Sequence, residues 1–176
     1  AEQDPDILFM QEIKATTDKL TEDLITPVPY VAYYNSAEKP GYAWTGVWIH
    51  SRVFEQYDGE FLTSFPWDPN WNEGRVAHVQ LKKKDKTFGH PGGVVARDLV
   101  SGNWDERFPT KVLVNDSDSL DIETVIDIFG IYFPNGWKSE QAWQEKLVFY
   151  SEFAKYMDEL RGQGHMVLWG GDINCA

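Results

Sequence analysis

Three short stretches of the sequence carry side chains of the types that hydrolytic enzymes use. Glu12 closes the apolar run "DILFMQE", Tyr132 lies near the end of "VIDIFGIYF", and Asp172 and Asn174 follow the run "VLWGG". Carboxylates bind hard cations or move protons, whereas amide and phenol groups donate hydrogen bonds to phosphate oxygens. An acceptor beside an amide, as in Asp172 and Asn174, can hold an attacking water or a metal-bound phosphate oxygen.

Each stretch also has an ordinary structural interpretation. Glu12 can be a solvated residue at a strand end, and Asp172 with Asn174 can form a turn, because Asp and Asn favour turns. If the strand instead continues to Asn174, its two-residue period puts both side chains on one face. In "YFPNGW", Asn135 and Gly136 predict a strand-to-helix turn, where Asn135 and nearby backbone N–H groups could hold a phosphate.

Apolar runs and their periods predict an α/β chain whose sheets are covered by helices on the outside. The predicted strands cover residues 6–12, 27–34, 41–51, 73–84, 125–133 and 165–171. We expect strand 73–84 to be half-buried and strand 165–171 to be buried. A short surface helix is predicted over 14–24 and a long amphipathic helix over 139–164, with an apolar face of Trp143, Leu147, Tyr150, Ala154, Met157 and Leu160.

Composition narrows the possible partners. The net charge of −12 argues against a long electrostatic footprint on nucleic acid, which a basic face would supply. No run approaches the roughly 18 apolar residues of a membrane span, so no membrane partner is expected. The single Cys175 excludes an internal disulfide and fits a reducing compartment, and a cytoplasmic location is the expectation. His50, His78, His90 and His165 have no ligand-like spacing and are expected to be structural or surface residues.

The order of the blocks is more specific than any one of them. The chain resembles the exonuclease III family of AP endonucleases in "DILFMQEIK", "GYAWTGVWIHSR", "EGRVAHVQL", "IDIFGIYFPNG", "KLVFYSEFAKYMDEL" and "VLWGGDIN". Residues 82–124 lie outside the resemblance and are interpreted as an insertion or irregular segment. The resemblance implies one domain over 1–176, built as a partial four-layer α/β/β/α sandwich like that of deoxyribonuclease I.

The resemblance also implies Mg²⁺- or Mn²⁺-dependent hydrolysis of DNA phosphodiesters, at abasic sites and from 3′ ends, in DNA repair. By this resemblance Glu12 matches the metal-binding Glu, and Tyr132 matches the Tyr that contacts the scissile phosphate. Asn135 matches a residue of the DNA-facing loop. Asp172 matches the Asp that activates the nucleophile or protonates the leaving group, and Asn174 matches the Asn that orients the attacking water or the phosphate.

Other blocks of the family have no counterpart here, namely an initial W-N-x-N strand and the later Asp and Asp-His motifs. We therefore expect an internal fragment that is weak or inactive alone, with a second chain or a homodimer completing the fold. Two alternatives stay open. One is a superfamily phosphatase or phosphodiesterase acting on a non-DNA phosphate ester, which the acidic charge favours. The other is a nuclease-like subunit that binds without catalysis.

Overall fold

The computed structural model describes residues 3–13, 19–38, 43–63, 65–66, 73–84 and 124–175. The predicted irregular segment at 82–124 therefore lies almost entirely outside the described residues. Within the described ranges, no helix has both the length and the apolar character that crossing a membrane requires.

The first half of the chain forms a three-stranded antiparallel sheet, here sheet A. Strands β1 (Ile7–Gln11), β2 (Tyr30–Asn35) and β3 (Thr45–His50) lie in the order β1-β3-β2. A short helix, α1 (Glu22–Ile25), connects β1 to β2, and a 3-10 helix, Ser51–Glu55, follows β3. The predicted helix at 14–24 is wrong in its bounds, since α1 begins at Glu22, although residues 14–18 lie outside the described part.

The second half forms a four-stranded mixed sheet, here sheet B. Its strands lie in the order β4-β5-β6-β7, with bounds of Tyr57–Phe61, Val76–Lys83, Val125–Tyr132 and Met166–Asp172. The long helix α2 (Glu140–Gly162) connects β6 to β7, and these two strands pair in parallel. Because the register sets Tyr132 opposite Asp172, both residues lie at the same end of the sheet.

The two sheets pack face to face, helix α2 covers the outer face of sheet B, and the short helix α1 lies on the outer side of sheet A. The core between the sheets consists of Tyr33, Val47, Ile49, Ala77, Val79, Leu81 and Ile128. A second core lies between sheet B and α2 and contains Phe129, Ile131, Phe133, Phe149, Phe153, Met157 and Leu160 among others. On the other side, the Tyr34 hydroxyl donates to the Leu24 carbonyl at 2.7 Å, which ties α1 to the outer face of sheet A. The partial four-layer α/β/β/α order that the family resemblance implied is confirmed.

Helix α2 begins at a capped end, where the Ser139 hydroxyl accepts from the Ala142 N–H at 3.0 Å. Its buried residues are Lys146, Phe149, Phe153, Met157 and Leu160. The predicted apolar face is therefore wrong at Trp143, Leu147 and Ala154, which are exposed. The aromatic rings of Phe149 and Phe153 pack on Phe133, and this contact rotates the helix away from the predicted face.

Strand β7 is an edge strand, and the prediction that it is buried is wrong. Among the described residues it pairs only with β6, so Met166, Leu168 and Trp169 are exposed although they are apolar. Strand β5, in contrast, is more buried than predicted. Residues 76–79 are buried on both faces, because sheet A covers one face and α2 the other, so the half-buried prediction fails there.

A buried carboxylate on β6 links β5 to the residue that precedes β7. Asp127 on β6 accepts hydrogen bonds from His78 Nε2 at 2.7 Å, from Gln80 Nε2 at 3.0 Å and from His165 Nδ1 at 2.7 Å. Burial raises the pKa of Asp127, but the hydrogen bonds from His78, Gln80 and His165 outweigh it and leave that pKa below its usual value. The two histidines therefore have structural roles, as expected, and the sequence did not single out Asp127.

We expect Asp127→Asn to lower the free energy of unfolding by about 1–3 kcal/mol, because an amide NH₂ then faces buried N–H donors. Since its folded-state pKa is lowered, the Asp127 carboxylate stabilises the fold above its unfolded pKa near ~3.9, and this contribution is lost as pH falls through the folded value. Urea unfolding followed by circular dichroism should show a constant difference above about pH 5 that shrinks in acid. Asp58→Asn, at an exposed site on β4, is the matched control. Equal stability of the two variants at pH 7 contradicts the prediction.

Candidate active site

A hydrogen bond joins the two sheets at one end of the sandwich. The Tyr132 hydroxyl, at the end of β6, donates to Glu12 Oε1 just past β1 at 2.5 Å. Glu12 has a φ of +54°, so the chain leaves β1 in a left-handed conformation that directs this residue out of the strand. Two predicted site residues, 120 positions apart in the chain, therefore meet.

Strands β1 and β7 can approach each other closely because residue 170 is a glycine. A Cβ atom built at Gly170 would lie 2.5 Å from the Phe9 ring, a distance that real Cβ contacts do not reach. The Phe9 ring therefore occupies the space beside the Gly170 backbone. Since Glu12 follows Phe9 by three residues and Asp172 follows Gly170 by two, this contact sets the ends of both strands side by side.

Asp172 and Asn174 form a tight turn at the end of β7. Asp172 Oδ1 accepts from the Asn174 N–H at 2.8 Å, and Asn174 has a φ of +51°. The strand ends at Asp172, so the turn interpretation is confirmed and the continued-strand alternative is wrong. The Asn174 side chain donates to the Phe133 carbonyl at 2.7 Å, and this bond draws the turn towards the residue after Tyr132.

Helix α2 anchors the same turn from the other side. The buried Lys146 donates from Nζ to the Asn174 carbonyl, and the Tyr150 hydroxyl donates to the Ile173 carbonyl. Sequence reasoning missed Lys146. Its position in the sequence could have indicated burial, because Lys146 precedes Phe149 by three residues and so lies on the same side of the helix as the large aromatic residues. A buried cation at that spacing needs an acceptor, and the 173–175 segment supplies it.

The Tyr132 phenol is held in its protonated form. Partial burial raises its pKa above the usual value of 10.0, and the hydrogen bond to Glu12 raises it further, whereas the Asn174 amide acts in the opposite sense. Nearby Asp172 adds to the rise by its negative charge. Tyr132 is therefore a hydrogen-bond donor throughout the neutral range.

Arg75, in the block "EGRV", packs on Tyr132 but was not among the predicted site residues. Its guanidinium carbon lies 5.5 Å from the centre of the Tyr132 ring, and Nη1 donates to the Tyr132 carbonyl at 3.3 Å. Glu73 accepts from Arg75 Nε at 2.6 Å and holds the guanidinium in place. Arg75 and Glu73 thus place an ion pair beside Tyr132.

Asn135 is less directly connected to this group. Its side-chain oxygen accepts from the Trp137 N–H at 2.9 Å, so it stabilises the predicted turn between β6 and α2. The side chain is exposed, and its bond is within its own loop rather than to Glu12, Asp172 or Asn174. The structure therefore brings four of the predicted residues together and places the fifth in the adjoining loop.

The oxygen-rich donor set at this end of the sandwich suits a hard cation. Glu12 and Asp172 supply carboxylates, and Asn174 supplies an amide oxygen, which are ligand types that Mg²⁺ prefers. Within the ranges that the structure describes, no group of three His, Cys, Asp or Glu side chains is arranged to hold a metal. Mg²⁺ sites in proteins often use one or two carboxylates, and substrate phosphates and waters then complete the coordination shell.

Comparison with solved structures identifies the same fold in a known protein. The chain is similar to the crystal structure of the catalytic domain of Xenopus laevis APE2, with a TM-score of 0.55 and 17% sequence identity. The match covers 98% of this chain and 51% of that one, so the chain spans about half the length of the structure that it matches. The fold is therefore that of a deoxyribonuclease I-like α/β sandwich. No protein-family model and no curated protein matches the sequence.

We expect Gly171→Ala to disrupt the pairing of β7 with β6. Gly171 has a φ of +144°, and a Cβ atom there would lie 1.8 Å from the Ile131 carbonyl oxygen, so the backbone must move. The free energy of unfolding should fall by about 1–3 kcal/mol or more.

The matched control is Gly162→Ala at the end of α2, where a Cβ meets nothing within 4 Å and helix propensity favours Ala. Thermal unfolding followed by circular dichroism measures both variants. A Gly171→Ala protein as stable as Gly162→Ala would show that β7 is not held as described.

Proposed function

We propose that this chain carries the catalytic side chains of a metal-dependent phosphodiesterase acting on DNA, of the AP endonuclease or 3′-exonuclease type. The observation that supports it best is the convergence of Glu12, Tyr132, Asp172 and Asn174 at one end of the sandwich. Its likeness in fold to the catalytic domain of an AP endonuclease-like protein supports the same reaction class.

Each residue has a role that its surroundings support. Glu12 would hold Mg²⁺, which supplies neutralisation of the charge that builds on the phosphate during attack. The Tyr132 hydroxyl, protonated at neutral pH, can donate to a phosphate oxygen in place of Glu12 when substrate binds. Asp172 accepts a proton from the attacking water or delivers one to the leaving oxygen. The Asn174 turn fixes the direction of the Asp172 carboxylate through the Asn174 N–H.

The second candidate function is a phosphatase that hydrolyses a small phosphate ester. The net charge of −12 favours this function, because the protein repels an extended polyanion such as DNA. A substrate panel separates the two. Duplex DNA with one abasic site, a duplex with a recessed 3′ end and a small phosphate monoester are compared at equal phosphate concentration. Hydrolysis of the monoester alone would favour the phosphatase and contradict the proposal.

Activity is expected to be weak and to depend on Asp172. We expect Asp172→Ala to reduce Mg²⁺-dependent nicking of abasic-site DNA about 10²–10⁴-fold, because proton transfer at the reacting oxygen is lost. Nicking is measured on a labelled duplex by gel electrophoresis, and Asp58→Ala is the control at a distant exposed carboxylate. Nicking that persists in Asp172→Ala, or that is insensitive to EDTA, contradicts the assignment of this residue.

A sparse ligand set predicts that Mg²⁺ binds mainly together with a phosphodiester. With Mg²⁺ alone the rise in melting temperature should be small, because few protein oxygens contribute. Addition of a non-cleavable phosphorothioate oligonucleotide should enlarge the Mg²⁺-dependent rise, and Glu12→Gln should abolish that enlargement.

A nuclease-like subunit that binds phosphodiesters without catalysis is the remaining alternative. The same melting experiment tests it. If oligonucleotide raises the melting temperature equally with Mg²⁺ and with EDTA, and nicking is absent, the chain binds phosphodiesters without metal and the catalytic proposal fails.

A further inference from the structure

Two exposed tryptophans and a lysine lie on the loop and helix that follow Tyr132. Trp137 is 69% exposed, Trp143 is 44% exposed, and Lys138 is exposed between them in sequence. We call these three residues the rim cluster. Single exposed apolar residues are common on protein surfaces, but a group of large aromatic side chains beside a candidate active site is a feature of ligand-binding surfaces.

Contacts connect the rim cluster to the candidate active site. The Trp137 N–H donates to Asn135 Oδ1 at 2.9 Å, which fixes the turn that projects the indole. A Cβ built at Gly136 would lie 2.7 Å from the Trp143 ring and 3.2 Å from Lys146 Cδ, so the turn packs directly on α2. Lys146 in turn donates to the Asn174 carbonyl. The loop is therefore one side chain away from the turn that holds Asp172.

Chain length also limits the separation. Trp137 follows Tyr132 by five residues, so their Cα atoms lie at most about 18 Å apart, which is the span of a few nucleotides. The indole thus lies within reach of a strand whose phosphate contacts Tyr132.

The charge of the molecule leaves room for an aromatic contribution to binding. With a net charge of −12, and with Glu12 and Asp172 in the site itself, phosphates gain little from long-range attraction. Proteins that hold single-stranded nucleic acid without sequence preference combine cationic groups with aromatic rings on which bases stack. In the rim cluster the cation is Lys138 and the rings are those of Trp137 and Trp143.

We propose that Trp137 is a stacking platform for an unpaired nucleobase next to the phosphate held at Tyr132. The inference rests on the proposed phosphodiesterase function and deepens it, because it names the substrate as a nucleic acid with an unstacked base rather than a small phosphate ester. Trp143 extends the platform, and Lys138 contacts the adjoining phosphate.

Binding is measured by fluorescence anisotropy in EDTA, so that no hydrolysis occurs. The probes are a labelled twelve-residue oligothymidylate and an oligonucleotide of equal length and charge in which every nucleotide is abasic. We expect Trp137→Ala to weaken binding of oligothymidylate about 5- to 150-fold and to leave binding of the abasic chain unchanged. Trp137→Phe keeps a ring and should stay within about threefold of the unaltered protein.

Val148→Ala, an exposed apolar residue on the same helix, is the matched control and should change neither affinity. Circular dichroism establishes that each variant is folded. Equal affinity of Trp137→Ala and the unaltered protein for oligothymidylate overturns the proposal. So does an equal loss for both probes, or the absence of base-dependent binding in the unaltered protein.

The test of the stacking site can succeed or fail independently of the test of the proposed catalytic function. If base-dependent binding is lost in Trp137→Ala while no Mg²⁺-dependent nicking is found, the stacking site stands and the catalytic proposal fails. If nicking is found, but Trp137→Ala changes neither oligothymidylate binding nor the KM for DNA, catalysis stands and the stacking site fails.

Discussion

The face-to-face packing of the two sheets is the constraint on which the rest of the structure depends. Val47 and Ile49 of sheet A meet Val79 and Ile128 of sheet B in one apolar layer. The sheets approach so closely that a Cβ at Gly130 would lie 2.9 Å from Val47. Because the layer fixes the relative position of the sheets, the ends of β1, β6 and β7 lie together, and polar residues at those ends form one group.

Much of the architecture follows from local patterns in the sequence. Apolar runs ended by Gly and Pro predicted the positions of β1, β3, β6 and β7, and the 139–164 pattern predicted α2 to within a few residues. Burial was harder to predict. The apolar residues of β7 indicate a buried strand, yet β7 is at an edge, since strand order is set by long-range pairing that no local period records. The predicted apolar face of α2 was wrong at Trp143, Leu147 and Ala154 for a related reason, because packing against sheet B decides which face of the helix is buried.

In the candidate site, too, some residues could be predicted from local sequence patterns and others could not. Four site residues were predicted from their places at the ends of apolar runs and from the family resemblance, namely Glu12, Tyr132, Asp172 and Asn174. In the structure these four residues lie close together. Their supporting residues were not predicted. Lys146 acts from a buried helix position and Arg75 acts across a neighbouring strand, and neither contact has a sequence signature beyond the residue type.

The hydrogen bond between Glu12 and Tyr132 spans 120 residues of chain, far more than the strand pairs β2–β3 or β4–β5. Contacts between distant residues carry a larger loop-closure entropy cost than contacts between neighbouring strands. Tyr132, Asp172 and Asn174 come together within sheet B, whereas Glu12 joins them only when the two sheets pack together. The Glu12–Tyr132 hydrogen bond therefore depends on the packing of the two sheets against each other, and not only on the strand pairing within either sheet.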